Sequence, residues 1–309
     1  MEEVELGKTG RVIRRVGFGG MQLSIAGRPD HAVALAVIRR AMELGIAFID
    51  TADVYCTDDG ELGHNERLIR AALSTREAAR DIVIATKAGM TRPGGRWERD
   101  GRPDHIRAAC ERSLRALAVE SIDLYQFHTP DPRVPFLESV GAFAELRSRG
   151  LVAAVGLSNV TPDQVRDARQ LVPVCSVQNH FNPWDLSWEK AGLLEYCHSE
   201  GITFLPYSPL GGRQRSRMIN ASPELRDIGS RLGATPAELT LAWILKRSPS
   251  LVIIPSASRT ESVESSVRAG SLAIDDALDA ELRQAFRRLP GQLSLTGRVV
   301  AKGRRLLGF

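Results

Sequence analysis

Residues 30–55 read DHAVALAVIRRAMELGIAFIDTADVY. Two periods follow one another in this stretch. Val33, Val37, Ile38, Ala41 and Leu44 recur at three- and four-residue steps, the spacing of one helical face. Asp30 stands where an N-cap belongs, and Gly45 where the helix should stop. The next five residues, IAFID, are almost continuously apolar and read as a strand buried on both faces. An amphipathic helix feeding a buried strand is half of a βαβ unit. If it repeats, a parallel sheet covered by helices follows.

It does repeat. The run VGFGGM (16–21) precedes this stretch as a first strand. A helix around NERLIRAAL (65–73) leads to the strand IVIATK, and Ile106, Cys110, Leu114 and Leu117 mark the helix before IDLYQFH. Next come a helix over 135–149, the strand VAAVGLSN, a helix from Thr161 and the strand PVCSVQN. A helix over 188–200 leads to ITFLPY, a helix over 236–247 to LVIIPS, and a last helix starts at Thr260. Thr161-Pro162-Asp163-Gln164 and Thr235-Pro236-Ala237-Glu238 each join a capping box to a proline at the first helical position. Ser222-Pro223 reads as the start of an extra helix. Eight strand–helix units predict an α/β fold, a (β/α)8 TIM barrel over 1–309 as a single domain. VELGKTGRVI (4–13) resembles an N-terminal β-hairpin sealing one end, and an extra C-terminal helix is expected. A doubly wound sheet is disfavoured, because GFGGMQ lacks the third glycine of G-x-G-x-x-G and opens no helix.

Bulk properties agree. The 309 residues are 43% hydrophobic and 25% charged, ordinary for a globular protein. With 41 basic and 37 acidic residues the formal charge is only +4, so nucleic acid is not implied. No apolar run approaches the ~18 residues of a membrane span, and the acidic start MEEVELGKTG resembles no signal peptide. Cys56, Cys110, Cys175 and Cys197 are scattered without C-x-x-C, as expected of reduced packing thiols in a cytoplasmic protein.

The C-terminal ends of barrel strands carry the active site. Read there, the chain delivers Asp50, Lys87 and His128 from strands two to four. Ser158, Asn159, Gln178, Asn179, Tyr207, Ser208 and Ser256 follow from strands five to eight, and Tyr55 stands just beyond strand two. Alone, each has an ordinary reading: a turn aspartate, a solvated lysine, a packed histidine, a rim aromatic. Their arrival at successive strand ends points to one site. A free phenol titrates near 10. An adjacent ammonium stabilises its anion and is expected to lower that pKa, while Asp50 holds the ammonium in place. His128 can hydrogen-bond a carbonyl oxygen or relay its proton. No side chain supplies hydride, so a reduction needs a bound cofactor.

Three other classes compete. A Schiff-base lyase could use Lys87 but leaves Tyr55, Tyr207 and Ser158-Asn159 unexplained. A metal hydrolase should show H-x-H or H-E-x-x-H, and neither occurs. A non-catalytic sensor or regulatory subunit of the same fold is the third.

The segments GFGGMQL, LGIAFIDTADVY, NERLIRAAL, IVIATKAGM, SIDLYQFHTPDP, VGLSNVTPDQV, VQNHFNP, PYSPLGG and IIPSASRTESVESS occur in the order found in aldo-keto reductases, and nearly the whole chain resembles that family. Among its branches the chain is similar to bacterial members of the pyridoxal-reductase kind. The resemblance implies a metal-free enzyme, a monomer or weak homo-oligomer, that reduces a small carbonyl substrate (pyridoxal or another aldehyde or ketone). It implies NADPH as cofactor, with NADH as the alternative. It assigns Asp50, Tyr55, Lys87 and His128 as the catalytic tetrad. Ser158, Asn159 and Gln178 match positions that hold the nicotinamide carboxamide, and Tyr207 the ring that stacks on it. Gly20, Met21 and Asp50 match the ribose contacts, and Ser208, Leu210 and Gly211 the pyrophosphate segment. Ser256, Ser258 and Arg259 fall where the 2′-phosphate is read, with Ser262, Ser265 and Ser266 beside the adenine. Many members carry Lys at the position of Ser256, Arg at that of Ser262, and Glu-Asn at that of Ser265-Ser266. Arg259 is therefore the expected phosphate cation. Trp97 and Trp184 are each read either as pocket walls or as structural. The tail TGRVVAKGRRLLGF reads as a solvated basic segment, with folding over the barrel mouth as its alternative.

Overall fold

The computed structural model describes residues 2–73 and 81–291. It opens with an antiparallel hairpin, β1 (Glu3–Glu5) and β2 (Val12–Arg14). The parallel sheet then runs through β3 (Phe18–Gly19), β4 (Phe48–Asp50) and β5 (Val83–Ala88). A small second hairpin, β6 (Met90–Thr91) and β7 (Glu98–Arg99), interrupts it. The sheet resumes with β8 (Ile122–Phe127), β9 (Val152–Ser158), β10 (Val174–His180) and β11 (Thr203–Tyr207). Register is continuous, with Ile49 opposite both Phe18 and Ile84, and Tyr125 opposite both Thr86 and Val155.

The eighth strand read from LVIIPS pairs through single bridges rather than a ladder. Leu251 bridges Phe204 on one side, while Ile253 and Ser256 bridge Val16 and Gly19 on the other. Pro255 has no N–H to give, which limits regular pairing there. These parallel bridges still join the two edges of the sheet and close the (β/α)8 barrel.

Helices α1 (His31–Glu43), α2 (His64–Ala72), α3 (Pro103–Leu117), α4 (Phe136–Ser148) and α5 (Pro162–Ala168) connect successive strands. In α1 the buried face is Ala34, Val37, Ile38 and Ala41, whereas Val33 is 45% exposed. The apolar stripe is thus displaced by one residue from its expected start, because Ala34 stands three and four residues before Val37 and Ile38 and shares their face. The single helix expected over 188–200 is two, α6 (Ser187–Lys190) and α7 (Leu193–Ser199). Gly192, at φ 73°, breaks it in a left-handed turn that favours glycine.

After β11 come α8 (Gly212–Ala221) and α9 (Pro223–Leu232), so the expected insertion carries one helix more than the Ser222-Pro223 start suggested. Then follow α10 (Pro236–Leu245), α11 (Thr260–Ala269) and the extra C-terminal helix α12 (Asp276–Arg287). Both capping boxes form: Thr161 and Thr235 accept from the backbone N–H of Gln164 and Glu238, whose side chains reach back.

The barrel interior changes character along its axis. Phe48, Val83, Leu124, Ala154, Leu205 and Val252 fill its lower half together with Leu6 and Ile13 of the N-terminal hairpin. The hairpin therefore plugs the floor, as expected. Strand side chains alternate, so the same inward faces continue two or four residues later as Asp50, Lys87, Gln126, Ser158, Tyr207 and Ser256. An apolar floor at one end dictates which residues meet at the other.

Gly7 seats the plug. Its φ is +56°, and a Cβ there would lie 2.7 Å from the Cys175 carbonyl oxygen and 2.9 Å from the Cys175 Cα. Its N–H donates to Thr203 Oγ1 at 2.8 Å. Gly7→Ala should lower stability by about 1–3 kcal/mol through strain and overpacking. Denaturant unfolding checks this, and an unchanged midpoint would show that the hairpin seat is loose.

Candidate active site

Lys87 is the next-to-last residue of β5, and its side chain is fully buried. Its ammonium donates to Asp50 Oδ2 at 2.7 Å, to the Thr51 carbonyl at 2.7 Å and to Tyr55 Oη at 3.0 Å. All three N–H bonds are used. Burial alone would pull the ammonium's pKa down; Asp50 and Tyr55 more than offset that and leave it raised. The second Asp50 oxygen accepts from Gln178 Nε2 at 2.7 Å and Gln126 Nε2 at 3.2 Å. A buried ion pair of this kind is tolerable only when the remaining lone pairs are satisfied, and here two amides do it.

Tyr55 stands over this pair, carried by the loop after β4. Its pKa is raised above the ordinary 10: burial raises it, Lys87 pulls it back, and Asp50 adds a smaller upward push. The expected net lowering is thus not what the site produces. Lys87 acts in the expected direction, but burial of the ring is the larger effect. The phenol stays protonated at neutral pH, with a cation positioned to stabilise its anion.

His128 meets the Tyr55 ring edge-on at 5.9 Å and 81°. Its Nδ1 is buried without a hydrogen-bond partner. Burial, then the charge of Lys87, holds its pKa well below 6.5, so the ring is neutral.

The four groups of the expected tetrad are therefore together. Asp50, Tyr55 and His128 line a cavity of about 1290 Å³ at the C-terminal mouth of the barrel. Lys87 does not line it and sits behind the tyrosine. Met21, Ser158, Asn159, Gln178 and Tyr207 line the same cavity. So do Ser208, Leu210, Ser256, Ser258, Arg259 and Ser262.

Asn159 adopts a left-handed φ of 59° and Ser208 one of 51°, uncommon for non-glycine residues and typical of functional sites. Asn159 is fixed by donation to the His128 carbonyl at 3.0 Å and by acceptance from Tyr207 Oη at 2.8 Å. Asn179 holds the loop below by exchanging bonds with both backbone groups of Val160.

Four expected contacts lie off the cavity lining. A Cβ at Gly20 would meet Asn65 Oδ1 at 2.4 Å, so this glycine faces Asn65, and Gly19 lines the cavity instead. Gly211 caps α8 in a left-handed turn. Ser266 spends its hydroxyl on the Ser262 carbonyl at 2.9 Å, and Ser265 bonds Glu238. Trp97 lines the cavity and meets Tyr55 edge-on at 6.4 Å. Trp184 does not, and its indole N–H donates to the Pro290 carbonyl at 2.9 Å. The basic tail lies outside the described residues.

Sequence reading missed Gln126, although strand alternation from His128 places it on the inward face. It also missed the cations of the insertion. Arg213, Ser216, Arg217 and Asn220 line the cavity at i, i+3, i+4 and i+7 of α8, with Arg226 of α9 beside them. The stripe is legible in GGRQRSRMIN once a helix is placed there, but two glycines and a polar composition hide the helix. All four cysteines are buried free thiols, and burial pushes Cys110, Cys175 and Cys197 up to about 12. Among the described residues no helix is long and apolar enough to cross a membrane.

The structure is thus a closed barrel with a buried lysine–aspartate pair behind a phenol at its mouth, all set on strand ends or the loops that follow them. The sequence profile of the Aldo/keto reductase family matches residues 15–285, and the chain belongs to that family. An uncharacterized oxidoreductase of Schizosaccharomyces pombe is 35% identical over 276 residues, covering 88% of this chain and 86% of the relative. Pyridoxine 4-dehydrogenase of Escherichia coli is 33% identical, covering 85% of this chain and 92% of that protein. A thermostable aldo-keto reductase solved with the inhibitor epalrestat superposes with a TM-score of 0.77 at 28% identity, over 92% of this chain and 100% of that one. The protein is an oxidoreductase with the fold of its family.

The depressed pKa of His128 has a signed consequence. Above pH ~6.5 the ring is neutral whether folded or unfolded, and it contributes no slope. Below that, the unfolded imidazole takes a proton that the folded one refuses, so stability falls as the pH drops. His64 and His105 share this direction, chiefly through burial. His128→Asn should flatten the fall of Tm between about pH 6.5 and 5 without abolishing it. An unaltered Tm profile would mean that the ring protonates in the folded state.

Proposed function

We propose that the protein is a cytoplasmic NADPH-dependent reductase of small aldehydes and ketones, with Tyr55 as the proton donor. The observation that carries the reading is the phenol at the cavity wall, 3.0 Å from an ammonium with no other open direction. The cavity also fits a large anionic cofactor. Its volume of about 1290 Å³ exceeds the ~300–1,000 Å³ of a pocket for one small ligand, leaving room for two. Among the described residues five arginines line it against a single carboxylate, Asp50, whose oxygens are already engaged. When bound, NADPH supplies hydride from its nicotinamide.

The chain's own groups divide the remaining work. Ser158 and Gln178 retain hydrogen-bonding capacity for a carboxamide, and Tyr207 offers its ring as a stacking face. Its tilt is supported from behind by His180, whose ring lies 5.3 Å away. Arg213, Arg217, Arg226 and Arg259 face the phosphate groups. At the other end Tyr55 Oη gives its proton to the substrate carbonyl oxygen. Lys87 stabilises the phenolate that remains, and Asp50 keeps Lys87 in line. Neutral His128 orients the carbonyl by hydrogen bond.

Lys87 is badly placed for the lyase alternative. A Schiff base requires an amine that substrate can reach, and this one lies behind Tyr55 with all its N–H bonds engaged. The sensor alternative predicts cofactor binding without turnover. Pyridoxal is the first substrate to test, on the likeness to pyridoxine 4-dehydrogenase.

Tyr55→Phe removes only the hydroxyl. NADPH binding should survive while aldehyde-dependent NADPH consumption falls by about 10²-fold or more. Near wild-type kcat in the variant would remove Tyr55 from the donor role, and no turnover by the wild type across an aldehyde panel would favour a sensor. Cofactor choice has its own test. Arg259→Ala should weaken NADPH by about tenfold or more, the worth of a charge-assisted hydrogen bond, with little effect on NADH. Equal losses for both cofactors would place Arg259 away from the 2′-phosphate.

A further inference from the structure

The five cavity arginines are not on one side. Arg213, Arg217, Arg226 and Arg259 come from elements that follow strands seven and eight. Arg99 lies on β7 in the insertion after β5, the third strand of the barrel. In a closed eight-stranded barrel, strands three and seven stand opposite each other, so Arg99 is set across the mouth from the other four. Its strand partner is Met90, which packs against the cluster of Ala52, Val54 and Tyr55 and also lines the cavity. Two residues before it is Trp97, edge-on to Tyr55. Arg99 therefore belongs to the wall where a reacting carbonyl must lie, not to the wall built for phosphates.

Its surroundings are fixed while its guanidinium is not engaged. The Arg92 guanidinium stacks on Trp97 at 3.8 Å and donates to the Cys56 and Thr57 carbonyls, tying the hairpin to the loop that carries Tyr55. Arg133, paired with Asp131, donates to the Arg99 carbonyl. The Arg99 backbone is thus held from two sides. Among the described residues its solvent-exposed side chain forms no hydrogen bond or ion pair. The cavity's one carboxylate is committed to Lys87 and two amides. A planar guanidinium left unpaired on a pocket wall is suited to gripping a carboxylate or phosphate in a forked contact.

We propose that Arg99 anchors an anionic group on the substrate, and that the preferred substrates are aldehydes bearing a carboxylate or phosphate beyond an apolar body that packs on Trp97 and Met90. This rests on the reductase reading of the site. The test compares matched pairs, with 4-carboxybenzaldehyde against methyl 4-formylbenzoate for the carboxylate and pyridoxal 5′-phosphate against pyridoxal for the phosphate. In the wild type the charged member should have the higher kcat/KM. Arg99→Leu should lower the charged-to-neutral ratio by roughly 5- to 100-fold, mainly through KM, the range between a solvated ion pair and a desolvated charged hydrogen bond. Arg99→Lys should restore part of it, which a purely structural role would not allow. A loss confined to one pair supports the anchor and names the anion. A change below about fivefold in both pairs overturns it. If the wild type reduces none of the four, the reductase reading fails separately. The anchor is then decided by the dissociation constants of 4-(hydroxymethyl)benzoate and its methyl ester, read by tryptophan fluorescence on the NADPH-loaded protein. Equal effects of Arg99→Leu on both would overturn it.

Discussion

The upper half of the barrel is organised around one buried charge. An ammonium taken out of water without partners costs several kcal/mol even after relaxation, enough to consume much of a domain's net stability. Lys87 is tolerated because each of its three N–H bonds has an acceptor, and because Asp50 supplies the opposite charge. That requirement propagates. Asp50 must end β4 on the inward face, the chain must turn so that the Thr51 carbonyl points back, and Gln126 and Gln178 must satisfy the other carboxylate oxygen. Three further strand ends are thereby committed before any ligand is considered. The phenol completes the set, so the Tyr55 hydroxyl, the proposed proton donor, is part of the solvation of the lysine.

The same constraint explains why the barrel needs an apolar floor. Inward positions cannot all be polar, since unpaired polar groups in the interior are costly. Below the Lys87 layer the interior is therefore filled by Phe48, Leu124 and Leu205, and closed by Leu6 and Ile13 of the hairpin. Gly156 marks the junction: a side chain there would meet Ser176 Oγ at 2.3 Å and the Gln126 stem at 2.9 Å. The glycine makes room for the amide that satisfies Asp50.

This logic sets how much could be read from the sequence. Strand ends were legible because alternation and a buried strand together fix which residue faces inward, so Asp50, Lys87, His128 and Gln178 followed from IAFID, IVIATK, IDLYQFH and PVCSVQN. The closure of the barrel was legible from the count of units, although not the bridged pairing of the eighth strand. Features that depend on longer connections were not. Helix α8 has no capping signal and few apolar residues, so the stripe from Arg213 to Asn220 reads as loop until the fold places it. The β6–β7 hairpin is two residues a side, too short for its period to register, and Arg99 goes with it. The pKa of Tyr55 was misjudged for a related reason. A charge pair can be inferred from strand ends, but the depth of burial that outweighs it depends on the hairpin and loops packed above.

A second buried group lies behind the tyrosine loop and bears on the charge at its centre. Asp53, 1% exposed, has the Arg112 guanidinium 3.6 Å from its carboxylate, and its backbone carbonyl accepts from the Gly63 N–H at 2.7 Å. Glu66 is fully buried and accepts from Thr86 Oγ1 at 2.6 Å. Burial pushes both carboxyls above their ordinary range, and at Asp53 the charge of Glu66 adds to it. The direction matters for catalysis. Two ionised carboxylates here would oppose the negative charge that would develop on Tyr55 in the proposed proton transfer, and would compete with Asp50 for the field of Lys87. Shifted towards their neutral forms, they leave Lys87 and Asp50 as the dominant charges beside the phenol. The loop that carries Tyr55 is thus anchored by groups that burial shifts towards their neutral forms, and on the proposed mechanism the lysine's stabilisation would fall on the phenolate.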